Sequence, residues 1–287
     1  MERRTAPALS CVALVSVLAL CACSGEKASS SDTATIAPTS TETASAAPLS
    51  AAIATAANPT ASPTPDAQLA KVAFSDIKGI DGETAIKQLG ALAVLETASG
   101  KFRPNDPISR AQYIRWLVKA NNIYAGILAA PAVRIRLAEK STPAFVDVPR
   151  SSPDFKYIQG MADAGLLVGY DKTHFRPDKH LSREELIAIL VQRDLNGQPG
   201  TDPKTMTSPP SDYISDGASV SKAYWGLFHD DRWSYASGSN GNIPRIFGTI
   251  KTLHPQQDAT REEAAVALQQ ISSMNAANVL KQKQSAR

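Results

Sequence analysis

Three arginines occupy the same place in a recurring pattern. Arg110, Arg183 and Arg261 each directly follow a hydroxyl residue, Ser109, Ser182 and Thr260. In every copy an apolar residue stands seven positions before the hydroxyl: Phe102, Phe175 and Leu253. A proline follows that residue by two: Pro104, Pro177 and Pro255. A guanidinium is a planar fork of donors that matches a carboxylate. At a helix start, where free amides and the helix dipole favour negative charge, it would make an anion site. The structural alternative is that each arginine pairs with a nearby Glu or Asp and orients its helix. Recurrence does not separate the two, because a structural tie would recur as well.

Other chemistry is poorly supported. His174, His180, His229 and His254 lack the spacing of a metal site. The acidic cluster His229-Asp230-Asp231 reads more simply as a solvated helix end than as a cation site. There is no nucleophile elbow or phosphate loop. Glu83, Glu184, Glu185, Glu262 and Glu263 are explained by helix capping and surface placement before glycoside hydrolysis. No catalytic residue, cofactor or resident metal is expected. The net charge is +3, with no basic run long enough for a nucleic-acid footprint.

The arginines are positioned by capped helices. Ser109 with Gln112, Ser182 with Glu185, and Thr260 with Glu263 have capping-box spacing. Behind them run apolar stripes: Ile114, Leu117 and Val118; Leu186, Ile187, Leu190 and Val191; Ala264, Leu268 and Ile271. Before each turn lies another helical pattern, Ile86, Leu89 and Leu92–Ala93 in the first unit and Ile158, Met161 and Leu166 in the second. Each unit is therefore turn, helix, turn, capped helix, and the fold class is all-α. The third unit is irregular. Its first helix is expected over 219–229, with Tyr224, Leu227 and Phe228 inward, followed by an inserted loop around Trp233–Asn242. The aromatics of that loop could hold a sugar face or cover the core. The connector after the first unit could carry a helix around 132–139.

The N-terminus is not part of the fold. Arg3 and Arg4 precede an apolar run to Ala22, the form of a secretory signal. Leu20-Cys21-Ala22-Cys23 resembles a bacterial lipobox, with Cys23 the lipidated residue. All three cysteines lie here, so the mature chain is left without a disulfide pair. From Ser24 to Asp66 the chain is mostly Ser, Thr, Ala and Pro, a disordered tether with a relaxed span of about 35–40 Å.

The Phe-x-Asp-[Ile/Val] openings at Phe74 and Phe145, the Leu-Leu helix end, the Phe-x-Pro turn and the Ser/Thr-Arg-x-Glu step together resemble the S-layer homology (SLH) family. The resemblance covers about 73–273 and is weakest in the third copy, whose opening is not recognisable. It implies three modules in a pseudo-threefold helical bundle. The expected order is signal peptide 1–22, linker 23–72, modules at 73–130, 143–196 and 211–275, and a tail at 276–287. It also implies non-covalent binding of secondary cell-wall polysaccharide or peptidoglycan, often bearing pyruvate ketals. Arg110, Arg183 and Arg261 would be the binding residues, with Asp76 and Asp147 shaping the grooves. Gln112 departs from the usual Glu. The resulting expectation is an exported, membrane-anchored envelope lipoprotein, at the outer membrane and periplasm or the cell surface, and not an enzyme. An envelope protein adaptor is the alternative.

Overall fold

The computed structural model describes residues 74–96, 100–167, 169–198, 200, 206–236 and 241–286. The expected signal, Cys23 and the linker lie outside the described residues. Eight α-helices are seen among the described residues: α1 Glu83–Ala91, α2 Arg110–Ile127, α3 Phe155–Asp163, α4 Arg183–Asp194, α5 Trp225–Ala236, α6 Asn242–Phe247, α7 Arg261–Leu268 and α8 Ala276–Ser285. The strands β1 Gln270–Ile271 and β2 Met274–Asn275 form one small antiparallel hairpin. The described chain is mostly helical, as the periodicity implies.

The second helix of each unit is the buried one. On α2, burial extends beyond the expected stripe to Tyr113, Trp116 and Tyr124, all fully enclosed. On α4, Leu186, Ile187, Leu190 and Val191 are all in the core. The first helices cover this core from neighbouring units: α3 packs on α2, α5 on α4, and α1 on α7. Each unit thus buries its apolar face against its neighbour, in a cycle that closes on itself.

The backbone closes the same cycle. The Leu181 amide donates to the Ile108 carbonyl at 2.9 Å, Ile108 to Ala259 at 3.0 Å, and Ala259 to Leu181 at 2.7 Å. Helix starts are satisfied across units too. The amides of Arg110 and Ala111 donate to the carbonyls of Lys179 and Pro177. Those of Arg183 and Glu184 donate to Gln257 and Pro255, and those of Arg261 and Glu262 to Asp106 and Pro104. Amides that an isolated helix would leave bare are therefore supplied by the next turn. Ser109, Ser182 and Thr260 accept from the third amide of each helix.

Several expectations need correction. Full capping boxes form at Ser182–Glu185 and Thr260–Glu263, but Ser109 makes only the hydroxyl half, because Gln112 does not reach back. The connector at 132–139 is not an α-helix: Pro131–Val133 is a single 3-10 turn and an extended segment follows. Asn121 and Asn122 side chains bind the carbonyls of Val133 and Ile135 there, so side chains take over the backbone bonding. Helix α5 runs on through Trp233 to Ala236 where a loop was expected, and Trp233 is 76% exposed, so it does not cover the core. Ile271 is buried on β1, beyond the end of α7. The expected tail forms α8, which buries Val279 and packs on α1 and α2. Ala93 takes the left-handed conformation (φ 56°) that Gly165 takes after α3 (φ 69°), so both first helices end alike.

At its C-terminal end α4 carries Asp194, which accepts from the Ser272 amide at 2.7 Å and from Asn242 Nδ2 at 3.2 Å. Burial pushes this carboxyl up to about 6, against the opposing pull of those bonds and of Arg245 and Arg193. Between about 3.8 and 6 the native state holds more protons here than the unfolded chain, so this contribution to stability falls as pH rises and is lost above 6. Asp194→Asn should remove that slope. Urea unfolding should show wild type losing about 1–3 kcal/mol relative to the variant between pH 4.5 and 7. A difference that stays constant with pH would contradict this reading.

Candidate functional site

In each unit a carboxylate holds the turn. Asp76 accepts from the amides of Phe102 and Arg103, both at 2.8 Å. Asp147 accepts from Phe175 at 2.9 Å and Arg176 at 2.7 Å. Asp216 does the same for Leu253 at 2.9 Å and His254 at 2.7 Å. In each turn the second residue has positive φ: Arg103 57°, Arg176 59° and His254 57°. The carboxylate clamps a backbone conformation that these side chains rarely adopt. Desolvation raises the Asp76 pKa, but the amides of Phe102 and Arg103 outweigh it and hold the group below its ordinary value. The aspartates therefore fix the three turns in one conformation.

Asp216 also locates the third opening, Ile214-Ser215-Asp216. Ile214 is buried as Phe74 and Phe145 are. The Ser215 amide reaches Lys251 as Ser75 reaches Gly100 and Val146 reaches Thr173. With isoleucine for phenylalanine, and glycine where the other openings have Ile77 and Val148, the sequence signal shrinks to an apolar-x-Asp triplet.

Each turn carbonyl then receives an arginine from the preceding unit. Arg110 Nε donates to Phe175 O at 2.9 Å, Arg183 Nη1 to Leu253 O at 2.9 Å, and Arg261 Nε to Phe102 O at 2.8 Å. The guanidiniums pack on rings: Arg110 on Phe175, Arg183 on Phe247, and Arg261 on both Phe102 and Trp116. All three expected arginines thus stand at equivalent junctions. The expectation that helix-start amides are free for an anion does not hold, since turn carbonyls and cap hydroxyls occupy them.

A groove opens at each junction. The one between units 1 and 2 has a volume of about 230 Å³ and contains Arg110, Glu185, Tyr170 and Tyr224. The one between units 2 and 3, about 330 Å³, contains Arg183, Glu263 and Phe247. The one between units 3 and 1, about 300 Å³, contains Arg261, Gln112 and Lys101.

Residues 73–114 and 144–187 match the S-layer homology domain. The two S-layer homology matches hold Asp76 and Asp147, the first two turns, and Arg110 and Arg183. Domains of this family bind cell-wall polymers in the envelope and are not catalytic. No curated protein matches the chain.

The three arginines differ in what surrounds them. Arg110 is 3% exposed and Nη1 lies 3.2 Å from Glu185 Oε1. Arg183 lies 2.5 Å from Glu263 Oε1. Both partners are the third residue of the receiving helix, so at these two junctions the arginine pairs with a nearby glutamate, as the structural alternative expects. Arg261 is half-buried and makes no ion pair among the described residues. Glu185 also pairs with Lys179 at 3.1 Å, so loss of Arg110 removes one of two ion partners from a buried carboxylate, and Arg110→Ala should cost about 2–3 kcal/mol. Arg261→Ala removes a carbonyl bond and ring packing but strands no charge, and should cost about 1–2 kcal/mol. Urea denaturation measures both, and equal losses would contradict the assignment of Glu185 as Arg110's essential partner.

Proposed function

We propose that this chain is an exported envelope protein whose junction grooves hold wall polysaccharide, or a polymer attached to peptidoglycan, without covalent bonds. In this reading the third unit, from Ile214 to Leu268, is a divergent copy of the S-layer homology domain with an insertion around α6. The observation that carries it is the recurrence of one arginine, one clamped turn and one concave groove at three junctions. Two of the three units contributing them match a wall-binding domain. Three weak contacts with a repeating polymer add up when the chain can reach them together.

The binding set is Arg110, Arg183 and Arg261, with Asp76 and Asp147 fixing the turns. Their contributions are unequal. Arg110 acts mainly by holding units 1 and 2 together, whereas Arg261 has guanidinium nitrogens left for a ligand. Lipidation at Cys23 would attach the other end to a membrane, and the Ser/Thr/Ala/Pro-rich linker would let the folded part reach the wall. The chain then ties two envelope layers by binding alone, with no reaction and no cofactor.

The test is sedimentation of the purified protein with sacculi at low salt. The protein should pellet with intact sacculi and stay in the supernatant once the attached polysaccharide is stripped. Failure to pellet with intact sacculi would remove the wall-binding reading.

A further inference from the structure

We propose that the connector after the first unit forms a second binding surface: the groove between residues 134–141 and α3 takes an extended, acidic segment of a partner protein. This goes beyond the wall-binding reading and uses none of the residues that line the three junction grooves.

The groove has a volume of about 730 Å³, more than twice that of any junction groove. One wall is the connector. The other is the C-terminal part of α3, with Gly160 and Asp163. A helix in the connector would satisfy its own amides. Instead Asn122 donates to the Ile135 carbonyl and accepts from its amide, both at 2.8 Å, and the Ala138 amide donates to Lys156 O at 3.1 Å. Gly160 lets the connector lie close, since a Cβ there would stand 2.4 Å from Arg136 O. At the far end Ser141 Oγ donates to Asp163 at 2.7 Å, and Arg150 donates to the carbonyls of Lys140 and Ser141, both at 3.0 Å. The wall is therefore fixed before any ligand arrives, which lowers the ordering cost of binding.

The charge of the groove sets the sign of its ligand. Ile135 and Ala138 are buried, whereas Arg134, Arg136, Leu137 and Lys140 are exposed. None of these three cations has an ion pair among the described residues, and Arg150 adds a fourth without a carboxylate partner there. Of the two acids at the groove, Asp163 is taken by Ser141 and Gln159, which leaves Glu139. Such a surface selects an acidic partner. The shape of the wall selects an extended one. Side chains two apart on an extended chain share a face, about 7 Å from each other. Carboxylates at alternate positions of an extended peptide therefore repeat at the spacing of Arg134 and Arg136. The amides of Arg136, Leu137 and Glu139 have no hydrogen-bond partner among the described residues, and Leu137 and Ala164 supply apolar contact. Main-chain donors beside apolar and charged side chains suit a polypeptide. A flat bilayer would meet the rim of such a groove and not its hollow.

The test is fluorescence anisotropy of the purified full-length protein with a labelled peptide of alternating Glu and Ser, and with the Gln and Ser peptide as neutral control. The acidic peptide should bind saturably and the neutral one should not. The triple variant Arg134→Glu, Arg136→Glu, Lys140→Glu should keep the wild-type urea midpoint, because all three side chains are exposed. It should lose about tenfold or more in peptide affinity. Its retention by sacculi should equal that of wild type, because the junction grooves are untouched. The corresponding Ala triple variant, which removes the charges without reversing them, should lose affinity in the same direction at an unchanged midpoint. Wild-type peptide affinity in both variants, no saturable peptide binding by wild type whether or not phosphatidylglycerol vesicles bind, or loss of sacculus retention in the variants would each overturn the proposal. If sacculi never retain the protein but the acidic peptide binds wild type and not the Glu variant, the wall-binding reading falls and this one stands.

Discussion

The fold depends on hydrogen bonds handed from one unit to the next around a closed ring. Ile108, Leu181 and Ala259 exchange backbone bonds in a cycle, and the first two amides of α2, α4 and α7 are each satisfied by the following turn. The first helix of each unit also packs on the second helix of the unit before it. A unit taken alone would expose both its apolar face and its helix-start amides. Each of these costs free energy when left without a partner. The three units are therefore stable as a closed set, and the arginines lie on the seams because each helix start has to meet the next turn there.

That position explains why one residue type recurs as the tie between units. Every arginine is tied to the next turn through a carbonyl. What else it meets depends on what the receiving helix offers. Glu185 and Glu263 close their own helix caps and also neutralise the incoming guanidinium. A neutral residue at the equivalent place weakens the cap, since Gln112 makes no return bond, and leaves Arg261 its charge. The same departure from symmetry thus weakens a cap and leaves a guanidinium without an ion pair among the described residues.

Much of this was legible in the sequence because the capping signals are local. A hydroxyl followed three residues later by Glu or Gln, with an apolar stripe behind it, determines a helix start without tertiary information, and α2, α4 and α7 begin where that pattern places them. What was not legible depends on contacts across the ring. The pairing of Arg110 with Glu185 links residues on different units, and no periodicity reveals it. Asp216 was hidden because Ile214 and Gly217 replace the residues that mark the other openings, leaving only the clamped backbone in common. The stretch at 132–139 is rich in strong helix formers such as Arg134, Leu137, Ala138 and Glu139, but Asn121 and Asn122 hold it extended. At α5 the Ser and Gly content beyond Trp233 masked a helix that packs on α4.

The central claim is that the third unit, despite its divergent sequence, is a full member of the ring. Amide hydrogen exchange at Ile108, Leu181 and Ala259 tests it most directly. If the ring closes as one cooperative element, the three amides exchange together and only through global unfolding. Exchange of Ala259 orders of magnitude faster than the other two would mean that the third unit opens by itself, and the account of a closed ring would fail.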